Sequence, residues 1–224
     1  MTKLIRALAA GAFLLGSASA ASAAVVTLTF EGIGNLASIN NFYNGGTDSS
    51  GNSGVNYGIN FTAASLGLID SDAGGAGNFA NEPSASTIAF FDNGSAATMN
   101  VAAGFTTGFS FFYSAFSNAS VTVYSGLNST GTVLATLNLS TNFNNGGCVG
   151  DPTGAACHWD AVGVTFAGTA MSVDFGGVAN QAGFDNITLG SATPGVPEPA
   201  TWALMIGGFA MVGAAMRRRA VATA

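Results

Sequence analysis

Short segments rich in β-branched and aromatic residues recur along the chain, and clusters of Gly, Asn, Ser and Asp separate them. Such segments are typical of β-strands and the clusters of turns, and no segment shows a sustained helical period with capping residues. The predicted strands are residues 25–30, 57–62, 87–91, 98–101, 105–113, 120–124, 132–139, 162–166, 170–175 and 183–189. They predict an all-β sandwich or barrel for residues 24–190, of which we favour an antiparallel β-sandwich.

Two of these segments show clear alternation of apolar and polar positions. Val121 and Val123 share one face of their segment, and residues 132–139 repeat the pattern with Val, Ala and two Leu on one face. Half-buried antiparallel strands have this period of two. The outward positions carry Thr, Ser and Asn, so we expect a polar sheet surface with little charge.

Charged residues make up only 7% of the 224 residues, and the basic ones are confined to the two ends. Residues 7–216 contain no Lys or Arg, which excludes a nucleic-acid-binding protein because phosphate contacts need basic side chains. Residues 24–196 contain ten Asp and Glu, so cations are the expected ionic partners. Most of these acids, such as Asp48, Asp92 and Asp151, are expected to be solvated in loops.

Residues 1–23 have the pattern of a secretory signal peptide. Lys3 and Arg6 precede a short apolar stretch, and small residues then offer cleavage sites after Ala20 and Ala23. The apolar stretch, predicted to be a helix, is shorter than the roughly 20 residues that span a bilayer. The mature chain is therefore expected outside the cytoplasm.

The C-terminal region has the pattern of a short membrane anchor. A turn-prone linker, residues 191–196, precedes a Pro-Glu-Pro box, and residues 200–216 form a nearly continuous apolar run that predicts a transmembrane helix. A cluster of Arg follows, which is expected on the cytoplasmic side. Residues 220–224 form a short tail.

Residues 197–219 resemble the PEP-CTERM sorting signal of Gram-negative, exopolysaccharide-producing bacteria. The residues that carry the resemblance are Pro197, Glu198, Pro199, Trp202, Arg217, Arg218 and Arg219. The resemblance implies transient anchoring in the inner membrane, processing near the box by an exosortase, and sorting to the cell surface or extracellular matrix. It indicates a route and no biochemical activity.

Two cysteines, Cys148 and Cys157, flank a turn-rich octapeptide. In an exported protein such a pair is most simply a disulfide. The alternative is a zinc site or a catalytic Cys-His pair, because His158 adjoins Cys157. Zinc needs further ligands, and the chain contains one His, which also restricts Ser-His-Asp and Cys-His mechanisms.

Asp185 is the most informative acidic residue of the predicted sandwich. Alternation in residues 183–189 places it on the same side as Ile187 and Leu189, where an unpaired carboxylate is costly. Its possible partners are backbone N–H groups, a proton or a bound cation. Calcium suits such an oxygen site, and Glu31 is the predicted second ligand if the first and last strands are neighbours.

The ends of the predicted sandwich point to the same ion. A first strand that ends in Phe-Glu and a last strand that reads Phe-Asp-Asn-Ile resemble the termini of jelly-roll carbohydrate-binding and MAM-type modules. The resemblance implies a jelly-roll-like sandwich with a structural calcium ion at Glu31 and Asp185. Asp70 and Asp72, in a Gly-rich loop, form a weaker calcium candidate because the rest of an EF-hand pattern is missing.

These features favour an exported, surface-sorted, non-catalytic β-sandwich of the extracellular matrix that binds carbohydrate or exopolysaccharide. The alternatives are an extracellular hydrolase that uses carboxylates on a jelly-roll scaffold, and a purely structural matrix protein. Sugar-binding proteins use exposed aromatic side chains, for which Tyr43, Tyr57, Tyr124 and Trp159 are candidates.

Overall fold

The computed structural model describes residues 25–148 and 154–195. Within them the chain forms one 3-10 helix, Ser71–Ala73, and eleven β-strands. The strands are β1 (Val26–Leu28), β2 (Ile59–Phe61), β3 (Ser65–Ile69), β4 (Thr87–Phe91), β5 (Ala96–Phe105), β6 (Gly108–Ala115), β7 (Ala119–Tyr124), β8 (Val133–Leu139), β9 (Asp160–Thr165), β10 (Ala170–Gly176) and β11 (Ala182–Leu189).

The described ranges contain no helix long and apolar enough to cross a bilayer. The predicted signal peptide, with its cleavage sites at Ala20 and Ala23, lies outside the described residues. The Pro-Glu-Pro box, the predicted transmembrane helix, the Arg cluster and the tail also lie outside them.

The strands form two antiparallel sheets packed face to face. The first sheet has the order β3-β4-β11-β6-β9. Strand β1 also pairs with β11, on the edge that β4 uses but nearer the end of the strand. The second sheet has the order β2-β5-β10-β7-β8. The predicted all-β, antiparallel β-sandwich is confirmed.

Aromatic side chains from both sheets fill the space between them. Phe111 of β6 and Phe184 of β11, in the first sheet, meet Phe175 of β10 in the second, with ring centroids 6.3 and 4.9 Å from that of Phe175. All three side chains are buried, and their edge-to-face packing is a favoured aromatic geometry. This core is built from the inward positions that alternation predicts, as Val121 and Val123 are also fully buried.

Strand β3 was not predicted, whereas each of the ten predicted segments overlaps an observed strand. Its sequence contains Gly67, which is unfavourable inside a strand. The structure explains this glycine, because a Cβ there would lie 2.5 Å from Cγ2 of Ile33. The backbone N–H of Leu36 donates to the Gly67 carbonyl, and that of Gly67 donates to Ala37, so the preceding segment crosses closely over β3.

Strand β11 contains a β-bulge that the sequence pattern does not predict. In its register with β6, Asp185 lies opposite Phe112, and Thr188 lies opposite Ser110. A three-residue step on β11 therefore matches a two-residue step on β6, which is the signature of one extra residue.

The bulge makes the predicted orientation of Asp185 wrong. Asn186, with φ of 48°, occupies the extra position, and Ile187 and Leu189 face the core. Asp185 shares the opposite, outer face of the first sheet with Thr188. It is still fully buried, because another segment of the chain covers it.

Asp48 is buried at 3% exposure rather than solvated, so that expectation is also wrong. Its carboxylate accepts hydrogen bonds of 2.8 Å from the backbone N–H groups of Gly34, Ser50 and Asn52, and one of 3.0 Å from the Asn52 amide. Burial opposes ionisation, yet these hydrogen bonds hold the pKa of Asp48 below its ordinary value. Asp48 therefore organises the Gly- and Asn-rich loop of residues 40–56.

Candidate functional site

A small second layer of side chains covers part of the outer face of the first sheet. Phe79 and Ala156, from two separate loops, pack against Ile88 of β4. Partly buried residues complete this cluster, namely Leu68, Phe116, Phe143 and Trp159. The layer brings together segments about 75 residues apart in sequence, and it forms one wall of a groove.

A disulfide between Cys148 and Cys157 stands beside this layer and confirms the predicted pair. The backbone N–H groups of Cys157 and His158 both donate to the carbonyl of Phe143. Because both sulfur atoms are bonded to each other, the zinc and Cys-His interpretations are wrong. His158 instead contacts Asp160, with its Nε2 at 3.0 Å from Oδ1.

Trp159 is held in place from two sides. Its indole N–H donates to the carbonyl of Ala80 at 3.0 Å, and its ring meets Phe79 edge to face with the centroids 6.2 Å apart. The ring edge lies over Gly183 of β11, where a Cβ would be 3.4 Å from Cη2 of Trp159 and 2.6 Å from Cδ1 of Ile88. The missing side chain at position 183 therefore lets the indole approach the sheet.

A groove runs between this layer and the first sheet. A cavity of about 40 Å³ adjoins a depression of about 580 Å³, because Leu68, Asn78, Phe90 and Asn180 line both. We call the combined feature the Trp159 groove. Its lining includes Trp159, Phe116, Phe90, Asn78, Gln181 and Asp92.

Uncharged polar groups accompany the aromatic side chains of the groove. Asn78 and Asn180 are exposed at its rim, and Gln181 is half-buried. Ser114 is 3% exposed, and in the described part of the chain its hydroxyl has no hydrogen-bond partner. Asp92 is the only ionisable side chain among the described lining residues.

Trp159 is one of four aromatic candidates from the sequence pattern, which missed the amide and hydroxyl groups around it. Asn78, Asn180 and Gln181 lie in irregular segments without periodicity, and Ser114 is an ordinary polar position of β6. The one available signal was the clustering of Asn, Gln and Gly beside aromatic residues, which is common throughout this chain.

The other aromatic candidates do not form comparable sites. Tyr43 is 5% exposed, its hydroxyl accepts a hydrogen bond from the backbone N–H of Phe30, and burial raises its pKa above the usual range. Tyr57 is 40% exposed and stacks on Tyr43 with the centroids 6.1 Å apart. Tyr124 is half-buried on β7.

The polar outer face of the second sheet is partly occupied by its own loop. The backbone N–H of Asn128 donates to the side chain of Asn100 at 2.7 Å, and the Asn100 amide donates back at 3.0 Å. The backbone N–H of Ser129 donates to the hydroxyl of Ser172 at 3.0 Å. The side chains of Asn100 and Ser172 are therefore engaged within the molecule.

The carboxylates of Glu31 and Asp185 accept hydrogen bonds from neighbouring residues of the segment from Ser84 to Thr87. Asp185 accepts hydrogen bonds from the backbone N–H of Ser84 at 2.8 Å, from its hydroxyl at 2.8 and 2.9 Å, and from the backbone N–H of Asn186 at 2.7 Å. Glu31 accepts from the backbone N–H groups of Ser86 at 3.1 Å and Thr87 at 2.9 Å. The first and last strands are neighbours as predicted, since β1 pairs with β11.

The buried carboxyl of Asp185 is difficult to ionise. Desolvation by burial raises its pKa to about 7, hydrogen bonds from Ser84 and Asn186 oppose that shift, and the nearby charge of Glu31 adds to it. Of the three partners considered for this carboxyl, backbone N–H groups are observed and a proton is favoured below neutral pH.

A calcium ion at Glu31 and Asp185 stays a prediction. The carboxylates already accept N–H or O–H donors, which would have to move aside for a cation at the same oxygen atoms. The neighbouring Asn186 offers a carbonyl-type oxygen, the kind that calcium prefers, and within the described residues its buried side-chain amide has no hydrogen-bond partner.

The second calcium candidate lies in and before the 3-10 helix Ser71–Ala73. Asp70 is 6% exposed and precedes this helix, whereas Asp72 within it is exposed. Across residues 25–148 and 154–195, no three His, Cys, Asp or Glu side chains cluster closely enough to hold a metal ion. Calcium at Asp70 and Asp72 is likewise only a prediction.

The comparison with protein families concerns the C-terminal region. Residues 195–219 match the family model described as the PEP-CTERM protein-sorting motif. The chain carries a PEP-CTERM sorting motif. The predicted resemblance is confirmed, and the PEP-CTERM motif indicates a secreted bacterial protein that is processed at the membrane.

Solved structures with a similar fold include carbohydrate-binding modules and an enzyme. A family 6 carbohydrate-binding module is 18% identical, with 58% of this chain and 84% of that chain covered and a TM-score of 0.35. A mutant of a family 29 carbohydrate-binding module is 11% identical, with 75% and 91% covered and a TM-score of 0.39. A glycoside hydrolase family 43 arabinoxylan arabinofuranohydrolase from Bacillus subtilis is 15% identical, with 64% and 30% covered and a TM-score of 0.36. No curated protein sequence matches the chain.

Proposed function

We propose that this protein is an exported, non-catalytic β-sandwich that binds polysaccharide of the extracellular matrix in its Trp159 groove. The PEP-CTERM motif supports the export route. On this proposal an exosortase of a Gram-negative host processes the chain near residues 197–199, after a transient stay in the inner membrane, and the sandwich reaches the cell surface or matrix.

The combination of side chains in the groove carries the proposal. Ligand sites are concave and largely apolar, with a few polar groups that orient the ligand. Trp159 and Phe116, which are half-buried, offer apolar surfaces for the C–H faces of sugar rings. Asn78 and Gln181 offer amides, each of which both donates and accepts hydrogen bonds as sugar hydroxyls require.

The charge of the groove supports a neutral glycan as the ligand. Residues 7–216 contain no Lys or Arg to neutralise a uronate or sulfate group. Asp92, at the open end, would repel such a group and would accept a hydrogen bond from a hydroxyl. A chain of uncharged sugars therefore fits this surface better than an acidic polysaccharide.

The placement of the carboxylates supports a non-catalytic role. Glycoside hydrolysis uses two carboxyl groups that flank the scissile bond, about 5 to 9.5 Å apart. The carboxyl with the raised pKa, Asp185, is 0% exposed and is bound by Ser84. Asp92 has no second carboxylate beside it in the described lining of the groove.

We propose that calcium binds at Glu31 and Asp185 in a structural role, because these two residues tie the two ends of the sandwich to the segment from Ser84 to Thr87. An ion there would brace the fold and would not touch the glycan. Calcium dependence and glycan binding are therefore separate properties with separate tests.

Titration calorimetry of the mature protein with a panel of soluble neutral and uronate-containing oligosaccharides tests the proposal. We expect binding to a neutral member without release of shorter products. Trp159→Phe and Asn78→Ala should weaken binding by about 2- to 10-fold each, the effect of one lost contact. Asn138→Ala, at an exposed position of β8 in the other sheet, is the matched control and should bind normally.

Three results would count against the proposal. Absence of binding to every glycan would contradict carbohydrate recognition. Product release that depends on one Asp or Glu would contradict the non-catalytic role. Equal weakening by Asn138→Ala would place the ligand outside the Trp159 groove.

A further inference from the structure

Residues 190–195 follow β11 and lie across the outer face of the first sheet, and we call this segment the strap. At its start, the backbone N–H of Gly190 donates to the carbonyl of Gly108 at 2.9 Å. The hydroxyl of Ser110 on β6 donates to the carbonyl of Ser191 at 2.9 Å. The strap therefore begins tied to β6.

The last residue of the strap returns to β11. The backbone N–H of Gly195 donates to the hydroxyl of Thr188 at 2.9 Å. That hydroxyl also lies 3.1 Å from the hydroxyl of Thr27 on β1. The strap thus runs from the β6–β9 side of the sheet to the β11–β1 side.

The sheet surface under the strap has no large side chains. Gly163 of β9 lies opposite Ser110 of β6, and a Cβ at Gly163 would overlap the carbonyl oxygen of Ala192. A Cβ at Gly108 would lie 2.6 Å from the backbone nitrogen of Ala192. Ser110 is 0% exposed although it is on the outer face, because the strap covers it.

The strap adjoins the sorting motif directly. Gly195 is the first residue matched by the PEP-CTERM motif, and one residue separates it from Pro197. An enzyme that cleaves near residues 197–199 must bind the backbone on the N-terminal side of the cleaved peptide bond. Those upstream residues are the ones hydrogen-bonded to the sheet.

The length of chain adds a second constraint. From Gly195 to the start of the apolar run at Ala200 the chain can span at most about 17 Å. A docked strap would therefore hold the sandwich close to the membrane surface, where it competes with the enzyme for space. Release of residues 190–195 would add about 20 Å of extended chain.

We propose that the docked strap restrains processing of the PEP-CTERM motif. The strap must leave the sheet surface formed by Gly108, Ser110 and Gly163 before the chain is cleaved. This inference rests on the proposed sorting route. The folded sandwich then sets the rate at which its own sorting signal becomes accessible.

Gly163→Val tests the proposal in the full-length protein expressed in an exosortase-containing host. The valine side chain would displace Ala192 and release the strap. We expect precursor to be converted to mature protein several-fold faster than in the wild type, by pulse-chase and mass spectrometry of the C-terminus. Ala161→Val is the matched control, because Ala161 is exposed on the same face of β9 two residues away.

Ser110→Ala is a milder second variant if Gly163→Val fails to fold. Loss of its hydrogen bond should raise the released population by about 2- to 10-fold. Hydrogen exchange at the amides of Gly190 and Gly195 in the purified precursor reports that release independently of processing. Faster exchange with faster processing supports the proposal.

Two results would overturn it, and they differ. If exchange at Gly190 and Gly195 accelerates while the processing rate is unchanged, the strap does not restrain the enzyme. If the wild-type precursor is never processed in a host with active exosortase, the proposed sorting route is wrong and this inference with it.

Discussion

Ser84 donates both its backbone N–H and its hydroxyl to the carboxylate of Asp185, which lies 101 residues further along the chain. This contact holds the loop before β4 against the outer face of β11. It buries a carboxyl group in a region of the protein without a basic side chain to pair with it. The consequences are measurable in the pH dependence of stability.

The free energy of unfolding should fall as pH rises from about 4 to about 7. Burial raises the folded-state pKa of Asp185 from 3.8 to about 7, so in this range the folded state binds more protons than the unfolded state. The contribution is fully present below the unfolded pKa and is lost as pH passes the folded pKa. Its size is on the order of 4 kcal/mol, measured by urea unfolding at a series of pH values.

Asp185→Asn should remove most of this slope, because Asn keeps the shape of the carboxyl and does not titrate. Asp92→Asn, at an exposed position, should leave the slope in place. Identical pH profiles for wild type and Asp185→Asn would show that another group is responsible.

Calcium should raise the melting temperature of the mature protein, and EDTA should lower it. A ligand that binds only the folded state at 100 times its dissociation constant stabilises by about 2.7 kcal/mol. Glu31→Gln should abolish the response, and Asp72→Asn should not, if the ion binds at Glu31 and Asp185. An unchanged melting temperature with EDTA would contradict the site.

Replacement of both Cys148 and Cys157 by Ser should destabilise the sandwich by about 2–3 kcal/mol, because the bond closes a loop of about ten residues. For a domain of this size, the melting temperature should fall by about 5–10 °C in calorimetry. Reduced wild type is the control and should melt like the variant. Equal melting of oxidised wild type and variant would mean that the disulfide does not constrain the unfolded chain.

Local patterns were sufficient for most of the strands. Val121 and Val123 are buried as alternation predicts. Successive residues of a strand face opposite sides, so residues two apart share a face whatever the rest of the chain does. Strand β3 was missed because Gly67 is explained only by the close approach of Ile33, a contact that no local pattern contains.

The bulge in β11 shows the limit of alternation. Its extra residue, Asn186, is defined by the register with β6, and that register depends on two strands about 75 residues apart in sequence. Asp185 was correctly identified as a carboxyl in need of a partner. The partner, Ser84, could not be predicted because a loop contact has no period.

The sequence alone determined most of the β-strands, the cysteine pair, the lack of basic residues in the sandwich and the sorting motif, because each depends on consecutive residues or on composition. Only the tertiary structure decided the orientation of Asp185, the Trp159 groove and the docking of the strap. These features arise where loops and strands distant in sequence are packed together, and there close approach at positions such as Gly163 and Gly183 determines what can touch.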